Sequence, residues 1–286
     1  MIFEKQLLAL YGLKWNPFLS DIPVEAVWTP PQLDSFSFRM EGLVMEGGFA
    51  MISGDPGLGK SKVLQLTAHR LSRLADVVVG VMERPQSSLQ DFYREMSALF
   101  GVNLSPANRY GGFKALRQRW QNHIRTTLFR PVLLIDEDQE MVASSLNELR
   151  LLASTRFDSQ CILTILLCGD SRLPQRFRTD ALVSLGTRIR VRLPLEPLNR
   201  DHLLAYLNHA LEQAGAPHLM TDALMEALAD HCCGNLRMLN QMAADLLANA
   251  AQKQLPRIDE KLFLETFTRQ PRPRKPRPIQ KDAMDG

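Results

Sequence analysis

Short continuous apolar runs alternate along the chain with longer stretches that place apolar residues at helical spacing. The runs lie at residues 49–53, 77–82, 131–135 and 161–169. Runs of this kind are typical of strands that are covered on both faces of a parallel sheet. The helical stretches lie at residues 32–46, 60–74, 88–100, 113–127 and 144–155. This order predicts an α/β fold in which helices connect mostly parallel strands.

The pattern changes in the second half of the chain. Residues 188–193 alternate between arginine and apolar side chains, which is typical of a strand with one buried face. After residue 199 the periodic segments are all helical, at 201–214, 221–231, 236–254 and 259–267. The sequence therefore predicts a parallel-sheet core followed by an all-helical C-terminal part.

The most informative motif follows the first predicted strand. Residues 54–61 read Gly-Asp-Pro-Gly-Leu-Gly-Lys-Ser, the complete pattern of a phosphate-binding loop. Glycines let successive backbone N–H groups point at one anion, the lysine reaches the β- and γ-phosphates, and the serine hydroxyl contacts Mg²⁺. An ordinary Gly-Pro turn is the alternative, but the full pattern predicts binding of ATP with Mg²⁺. The candidate nucleotide-binding residues are Gly54, Asp55, Pro56, Gly57, Leu58, Gly59, Lys60, Ser61 and Lys62.

A second motif ends the third predicted strand. Residues 131–137 read Pro-Val-Leu-Leu-Ile-Asp-Glu, an apolar strand followed by two carboxylates, as in a Walker B motif. Ligands of parallel sheets bind at the carboxyl ends of the strands, so both acids are expected beside the phosphate-binding loop. We predict that Asp136 and Ser61 hold Mg²⁺ and that Glu137 is catalytic because it polarises the attacking water. The two motifs together predict an ATPase that converts ATP and water into ADP and phosphate.

Length and composition allow one large core and a smaller appended domain. The chain has 286 residues, of which 45% are hydrophobic. Its N-terminus lacks the charge pattern of a signal peptide, and no stretch approaches about eighteen uncharged apolar residues. We therefore expect a cytoplasmic protein without membrane contact. The four cysteines, at positions 161, 168, 232 and 233, lack zinc spacing and are expected to be buried reduced thiols.

Basic charge is concentrated at the C-terminal end. The whole chain has a net charge of +3, while residues 269–286 carry six basic and two acidic side chains. The rest of the chain is therefore close to neutral, and a contact with DNA needs a local patch or this tail. The tail alternates proline with charge and is expected to be disordered. Its candidate roles are to hold phosphate, to bind a partner protein, or only to keep the chain in solution.

The motifs and their order resemble those of the AAA+ ATPases. Within that family the sequence is similar to the branch shared by secretion ATPases of the ExeA type and transposon target-selection ATPases of the TnsC/TniB type. The similarity extends over about residues 8–265. It is carried by residues 11–18 (YGLKWNPF), 135–137 with Gln139, 148–152 (ELRLL), 187–189, 195–198 (LEPL) and 234–240 (GNLRMLN). The first and the last of these segments are the most specific.

The resemblance divides the chain into four parts and implies a P-loop NTPase fold. Residues 1–30 form an N-terminal segment that packs near the nucleotide, and residues 31–198 form the α/β ATPase core. Residues 199–268 form a helical lid, and residues 269–286 are the basic, proline-rich tail. The fold class expected is therefore a parallel-sheet AAA+ core with a C-terminal all-helical lid domain.

The resemblance also implies two catalytic arginines. Arg188, which precedes an isoleucine, is the candidate arginine finger that acts on the γ-phosphate bound by a neighbouring subunit. A finger of this kind implies a homo-oligomer, either a ring or a helical filament. Arg176 and Arg178 compete for the role, and the alternative is that Arg188 only belongs to the solvated face of an edge strand. Arg237 occupies the sensor 2 position, where it would bridge the lid and the phosphates.

One family feature is missing from the sequence. The family often has a polar sensor 1 side chain at the end of the fourth core strand, but here that strand ends Leu-Cys-Gly at residues 167–169. The adjacent Asp170 and Ser171 are the available substitutes.

A candidate DNA-binding face lies between the second strand and the Walker B strand, where target-selection ATPases present DNA contacts. Lys114 and Arg117 are three residues apart and can share one helix face. Tyr110 is near enough in sequence to lie against sugar or base. A solvated helix face is the alternative. The candidate DNA-binding residues are Arg109, Tyr110, Lys114 and Arg117.

Three candidate functions follow from the resemblance. The first is an ATP-dependent regulator of DNA transposition that oligomerises on duplex DNA and recruits or activates a transposase, with a target-selection adaptor as a further partner. The second is a secretion-type ATPase for envelope assembly, and a stand-alone nucleotide switch is a third. Membrane-anchored secretion relatives typically carry a transmembrane segment and a wall-binding domain, which are not found in this sequence. On that ground we expect the transposition regulator.

Overall fold

A computed structural model describes residues 2–83, 85, 88–103, 108–156 and 159–267 of the chain. The first helices are α1 (Ile2–Tyr11), α2 (Gln32–Glu46), α3 (Lys60–Ser72), α4 (Leu89–Phe100), α5 (Arg109–Thr127) and α6 (Ala143–Ala153). They are followed by α7 (Leu173–Arg176), α8 (Val183–Gly186), α9 (Arg200–Ala214), α10 (Asp222–His231), α11 (Leu236–Gln252) and α12 (Glu260–Phe267). Among the helices within these ranges, none combines the length and the apolarity needed to cross a membrane. The tail at 269–286 lies outside the described residues.

The strands are β1 (Gly48–Gly54), β2 (Val79–Met82), β3 (Val132–Ile135), β4 (Ser154–Thr155), β5 (Gln160–Cys161), β6 (Thr164–Gly169) and β7 (Ile189–Leu195). Five of them form one sheet in the order β2-β3-β6-β1-β7, and every pairing in it is parallel. The predicted α/β fold with a parallel sheet is thus confirmed. Strand β6 lies between β1 and β3. The carboxyl end of β6 is therefore located between the phosphate-binding loop, which follows β1, and the two acids, which follow β3.

The sequence predicted one continuous strand over residues 161–169, but the structure has two separate strands there, β5 and β6. Cys161 pairs with Ser154 in a short antiparallel ladder between β4 and β5. The backbone N–H of Ile162 then donates to Ala153 O at 2.8 Å, so the chain is held outside the main sheet until Thr164. Strand β2 is also shorter than predicted, since it begins at Val79.

Two hydrophobic clusters cover the two faces of the sheet. One packs α4, α5 and α6 against side chains such as Phe49 and Leu133, and Trp120 of α5 is almost completely buried in it. The other packs α2 and α3 against side chains such as Ala50 and Leu134. Along the edge strand β7, buried and exposed residues alternate, which confirms a strand with one buried face.

A third cluster joins the C-terminal helices to the N-terminal segment. Leu7, Leu13 and Phe18 pack with the buried faces of α9, α10, α11 and α12. The hydroxyl of Tyr11 donates to Leu255 O at 3.0 Å, and the backbone N–H of Lys14 donates to Ala214 O at 2.9 Å. The beginning of the chain therefore shares a core with its helical C-terminal part rather than with the sheet.

The cysteines only partly follow the expectation of buried thiols. Cys168 and Cys232 are buried, and Cys161 is half-buried. Cys233 is exposed, contrary to the prediction. It follows α10 in a turn with a φ of 50°, and this turn directs the side chain away from the helical core that buries Cys232.

Candidate nucleotide-binding site

The phosphate-binding loop connects β1 to α3. Gly57 and Gly59 have φ angles of 89° and 91°, a left-handed conformation that residues with side chains rarely adopt. Lys60 is the first residue of α3, is buried, and donates its Nζ to Asp55 O at 3.1 Å. A helix N-terminus preceded by such glycines and carrying a lysine is the arrangement that binds phosphate groups.

Neighbouring segments hold the loop from three sides. The Ser171 hydroxyl, just after β6, donates to the Asp55 carboxylate. The side-chain amide of Asn235 donates to Pro56 O at 3.0 Å. Lys62 donates its Nζ to Ser20 O at 2.6 Å, so this predicted nucleotide-binding residue anchors the N-terminal segment. The loop is therefore a junction between the sheet, the helical part and the N-terminal segment.

The two predicted acids lie at the carboxyl end of β3. Asp136 is half-buried, Glu137 is exposed, and the backbone N–H of Glu137 donates to Asp136 Oδ1 at 3.0 Å. Burial raises the pKa of the nearby Cys168 thiol, the Asp136 carboxylate raises it further, and the Lys60 ammonium opposes the change. Asp136 and the loop lysine therefore both lie near the Cys168 thiol of β6.

The oxygen atoms at the carboxyl ends of these strands fit Mg²⁺ as ligands. A hydroxyl from Ser61, which is exposed at the start of α3, and a carboxylate from Asp136 are hard oxygen ligands of the kind that Mg²⁺ takes together with substrate phosphates. These two residues would hold the ion beside the loop.

The end of β6 carries a hydrogen-bond bridge to the Walker B turn. Gln139 lies in the short 3-10 turn Asp138–Glu140 that follows β3. Its Nε2 donates to the Glu137 carboxylate in a short hydrogen bond, and its Oε1 accepts the backbone N–H of Asp170 at 3.1 Å. The sequence indicated Gln139 only as part of a motif, and nothing in the local pattern showed this contact.

The helical part meets the phosphate-binding loop at the start of α11. Asn235 caps this helix by accepting the N–H of Met238 at 3.1 Å. The backbone N–H of Arg237 donates to Gly57 O at 3.0 Å. Gly57 leaves the space that Asn235 occupies, because a Cβ on it would lie 2.3 Å from Asn235 Oδ1. Arg237, the predicted sensor 2 residue, is thus held beside the loop by its backbone, and its side chain is exposed.

One cavity of about 1490 Å³ collects these elements. Its walls come from the phosphate-binding loop, the ends of β3 and β6, the start of α11, and the segment from Phe18 to Pro30. Trp28 from that segment stacks edge-on against Tyr206 of α9 with ring centroids 6.0 Å apart. Typical small-molecule sites occupy about 300–1,000 Å³, so the cavity has room for a nucleotide with its metal ion.

Arg188 lies far from this cavity along the sheet. It immediately precedes β7, whose first residue, Ile189, pairs with Phe49 near the amino end of β1. The loop follows the opposite end of β1, five residues on, and a strand advances about 3.3 Å per residue, or roughly 16 Å in total. The Arg188 guanidinium donates to Ser184 O at 2.8 Å. Arg188 is therefore not positioned to reach phosphates bound in its own chain.

The two competing finger candidates differ from each other. The Arg176 guanidinium donates to Asp138 O at 2.8 Å and also to Met141 O, so it braces the turn after β3. Next to it, burial raises the pKa of the Asp138 carboxyl to about 7, although the Arg176 charge opposes the change. Arg178 is exposed. The Arg176 guanidinium is therefore engaged within its own chain.

The four candidate DNA-binding residues do not form one free basic face. Arg109 forms an ion pair with the buried carboxylate of Glu148. Arg117 donates to the carbonyl oxygens of Leu151 at 2.9 Å and Leu152 at 3.1 Å, and burial lowers its pKa. Both guanidinium groups therefore hold α5 against α6.

The other two candidates are at the surface. Tyr110 is 79% exposed, and Lys114 is exposed one helical turn further along α5. Helix α5 begins at Arg109 rather than at residue 113 as predicted, because Asn108 caps it by accepting the N–H of Gly111 at 2.9 Å. Tyr110 and Lys114 are consequently on one exposed helix face.

Comparison with known proteins agrees with the fold. Residues 44–177 match the protein family described as AAA domain, and this range contains the phosphate-binding loop, both acids and the end of β6. General secretion pathway protein A of Aeromonas hydrophila is 26% identical over 235 residues, which cover 80% of this chain and 42% of that protein. The chain thus spans about two fifths of the length of this relative.

Solved structures with the same fold include nucleotide-bound and DNA-bound proteins. The ORC2 protein of Aeropyrum pernix, in ADPNP–ADP complexes, superposes with a TM-score of 0.65 at 16% identity, covering 88% of this chain and 71% of that one. Drosophila ORC bound to DNA gives a TM-score of 0.68 at 16% identity, covering 91% of this chain and 65% of that one. At such identities the likeness concerns the fold alone, which is an α/β P-loop fold.

Proposed function

We propose that this chain is a Mg²⁺-dependent ATPase whose active site is completed by a neighbouring subunit. The observation that carries the proposal is the meeting of the phosphate-binding loop, the two acids at the end of β3 and the start of α11 around one cavity. A nucleotide bound there would touch both the sheet and the helical part. Hydrolysis would therefore change the contacts between them.

Each residue has a distinct part in the proposed reaction. Lys60 and the loop N–H groups bind the β- and γ-phosphates, and Mg²⁺ held by Ser61 and Asp136 would neutralise charge that develops on them. Glu137 orients and polarises the attacking water from the exposed end of β3. Arg237 contacts the phosphates from α11 and so reports their presence to the helical part.

The finger is proposed to act between subunits. Arg188 stands at the opposite end of β7 from the loop, and in the proposed oligomer a second chain would bring its own Arg188 to the phosphates. A cation supplied in this way stabilises the charge on the equatorial oxygens in the transition state and accelerates transfer by about 10³–10⁵-fold. We therefore propose a homo-oligomer as the active form.

The test of ATP binding and hydrolysis uses two variants. Lys60→Ala should abolish binding of labelled ATP, because the loop loses its cation. Glu137→Gln should bind ATP as the wild type does and lose at least about 100-fold in turnover. Binding by Lys60→Ala equal to that of the wild type, or turnover by Glu137→Gln equal to that of the wild type, would contradict the assigned roles.

For the biological output we propose ATP-dependent assembly on duplex DNA in the control of transposition, with a transposase as the partner. The support is the resemblance to target-selection ATPases together with the exposed face formed by Tyr110 and Lys114. Repetition of this small face along an oligomer would sum weak contacts into useful avidity. Since Arg109 and Arg117 are engaged inside the chain, the face is smaller than the sequence predicted.

The test is the stimulation of ATPase activity by duplex DNA. The double variant Tyr110→Ser with Lys114→Glu should lose stimulation and keep basal activity. Arg73→Glu, the same type of charge change at the exposed end of α3, is the matched control. Full stimulation of the double variant would exclude this face as the DNA-binding surface.

A role in envelope assembly or secretion is the second candidate, and the similarity to General secretion pathway protein A favours it. Under this function DNA would not stimulate the wild-type protein at any salt concentration. Co-purification with envelope proteins, combined with an absence of DNA stimulation, would then replace the transposition proposal.

A further inference from the structure

We propose that Gln139 is a positioning residue, which fixes the Glu137 carboxylate against the end of β6 and supplies the polar sensor contact that this strand's own side chains do not provide. The inference rests on the proposed ATP hydrolysis, because Glu137 is the group through which Gln139 acts. Gln139 does not need to touch the nucleotide.

The hydrogen bonds of Gln139 define its orientation. A carboxylate only accepts hydrogen bonds and a backbone N–H only donates them. The amide nitrogen must therefore face Glu137 and the amide oxygen must face Asp170, as is found. One planar group thus connects the ends of β3 and β6, and a movement of either strand end changes the direction of the Glu137 carboxylate.

The end of β6 is shaped to admit this amide. The strand ends at Gly169, and a Cβ on this residue would lie 2.7 Å from Gln139 Oε1. It would also lie 3.0 Å from Leu173 Cδ2. Because Gly169 has no side chain, the end of β6 lacks a sensor 1 group of its own. The same absence leaves room there for the side chain of Gln139, which comes from the turn after β3.

The two substitutes that the sequence offered for sensor 1 make other contacts. The Asp170 carboxylate accepts from Arg172, with an Nε–Oδ2 distance of 2.9 Å. The Ser171 hydroxyl donates to Asp55 in the phosphate-binding loop. Both side chains are thus directed away from Glu137, whereas Gln139 is directed at it.

The turn that presents Gln139 is itself held firmly. Arg176 of α7 donates to the carbonyl oxygens on both sides of it, at Asp138 and Met141. Glu137, in contrast, is an exposed side chain at a residue with a φ of 52°. Without the amide, the carboxylate would sample several rotamers, and only some of them orient a water toward the γ-phosphate. Misplacement of a catalytic group by about 1 Å can cost on the order of 100-fold in rate.

Two substitutions separate the two hydrogen bonds of Gln139. Gln139→Ala removes both, while Gln139→Glu keeps an acceptor for the Asp170 N–H and loses the donor to Glu137. We expect both variants to bind ATP with a Kd within about twofold of the wild type and to lose about 10- to 100-fold in kcat. Gln175→Ala, at an exposed glutamine of α7, is the control and should match the wild type. Thermal melting verifies that each variant is folded.

A double-mutant cycle with Glu137→Gln tests whether Gln139 acts through Glu137. In single-turnover hydrolysis of radiolabelled ATP, Gln139→Ala should cause no further loss in the Glu137→Gln background, since the group it positions is already absent. A purely structural role would instead lower the rate by the same factor in both backgrounds. That additive result would overturn the inference, and so would a wild-type kcat for Gln139→Glu. An absence of turnover in the wild type would contradict the proposed function instead, so the two failures are distinguishable.

Discussion

The buried carboxylate of Glu148 offers a quantitative test of the contacts between α4, α5 and α6. Its side chain is 2% exposed and accepts hydrogen bonds from the Tyr93 hydroxyl at 2.5 Å and from the Arg109 Nε at 3.1 Å. Replacement by glutamine keeps the shape but removes the charge and one acceptor oxygen. The nitrogen of the new amide would then face a donor, because both oxygens of Glu148 accept hydrogen bonds.

The expected loss of stability follows from the hydrogen bonds that Glu148 accepts from Tyr93 and Arg109. A hydrogen bond to a charged group contributes about 1.5–3 kcal/mol. The Arg109 side chain is 59% exposed, so its released groups return to water and its share is smaller. We expect Glu148→Gln to lower the free energy of unfolding by about 2 kcal/mol at pH 7, which corresponds to roughly 5 °C in Tm. Tyr93→Phe, which leaves the Arg109 pair in place, should cost about 1 kcal/mol.

The lowered pKa of Glu148 determines how the destabilisation by Glu148→Gln changes with pH. Burial by itself would raise the pKa of Glu148, but the hydrogen bonds from Arg109 and Tyr93 and the Arg109 charge hold it below its usual value. A carboxyl with a lowered pKa in the folded state stabilises the fold above its ordinary pKa, and this contribution is lost as the pH falls through the folded value. The difference between wild type and Glu148→Gln should therefore be full above about pH 5 and shrink below about pH 4.

Urea unfolding followed by circular dichroism at several pH values measures this difference. Glu212→Gln, at an exposed glutamate of α9, is the control and should be neutral. A Glu148→Gln protein within about 0.5 kcal/mol of the wild type at pH 7 would refute the reasoning. A destabilisation that does not change between pH 7 and the acid limit of stability would refute it as well, because it would come from packing rather than charge.

Three further outcomes are expected. Mixing inactive Arg188→Ala and Lys60→Ala proteins in equal amounts should restore up to about a quarter of wild-type ATPase activity, the fraction of interfaces that pair two intact groups; no recovery at any ratio would argue against a finger in trans. Gly57→Ala should weaken ATP binding measured by calorimetry, because its Cβ would displace Asn235 from the loop; unchanged affinity would show that this contact is dispensable. Arg117→Ala should lower Tm while leaving DNA stimulation intact, and the reverse pattern would return Arg117 to the DNA surface.

The sequence by itself determined the features that depend on short-range chemistry. The phosphate-binding loop, the Walker B strand and the alternation of β7 are each contained within a few consecutive residues, and their spacing has a direct physical meaning. The parallel sheet could be predicted for the same reason, since strands buried on both faces leave continuous apolar runs. Local signals failed where a neighbour decides the conformation, as at residues 161–163, which leave the sheet because Ile162 bonds to Ala153.

Only the tertiary structure decided which side chains are free to act. The sequence alone cannot distinguish Arg109 and Arg117 from arginines of an exposed basic surface. In the structure, α6 supplies the buried Glu148 carboxylate that binds Arg109 and the carbonyl oxygens that bind Arg117. Gln139 meets Asp170 across 31 residues, and Asn235 meets Pro56 across 179. Such contacts arise from the order in which strands pair and from where a helix begins against the loop. The separation of two residues along the sequence does not predict such contacts, because a hydrogen bond between distant residues depends only on where folding places the two atoms.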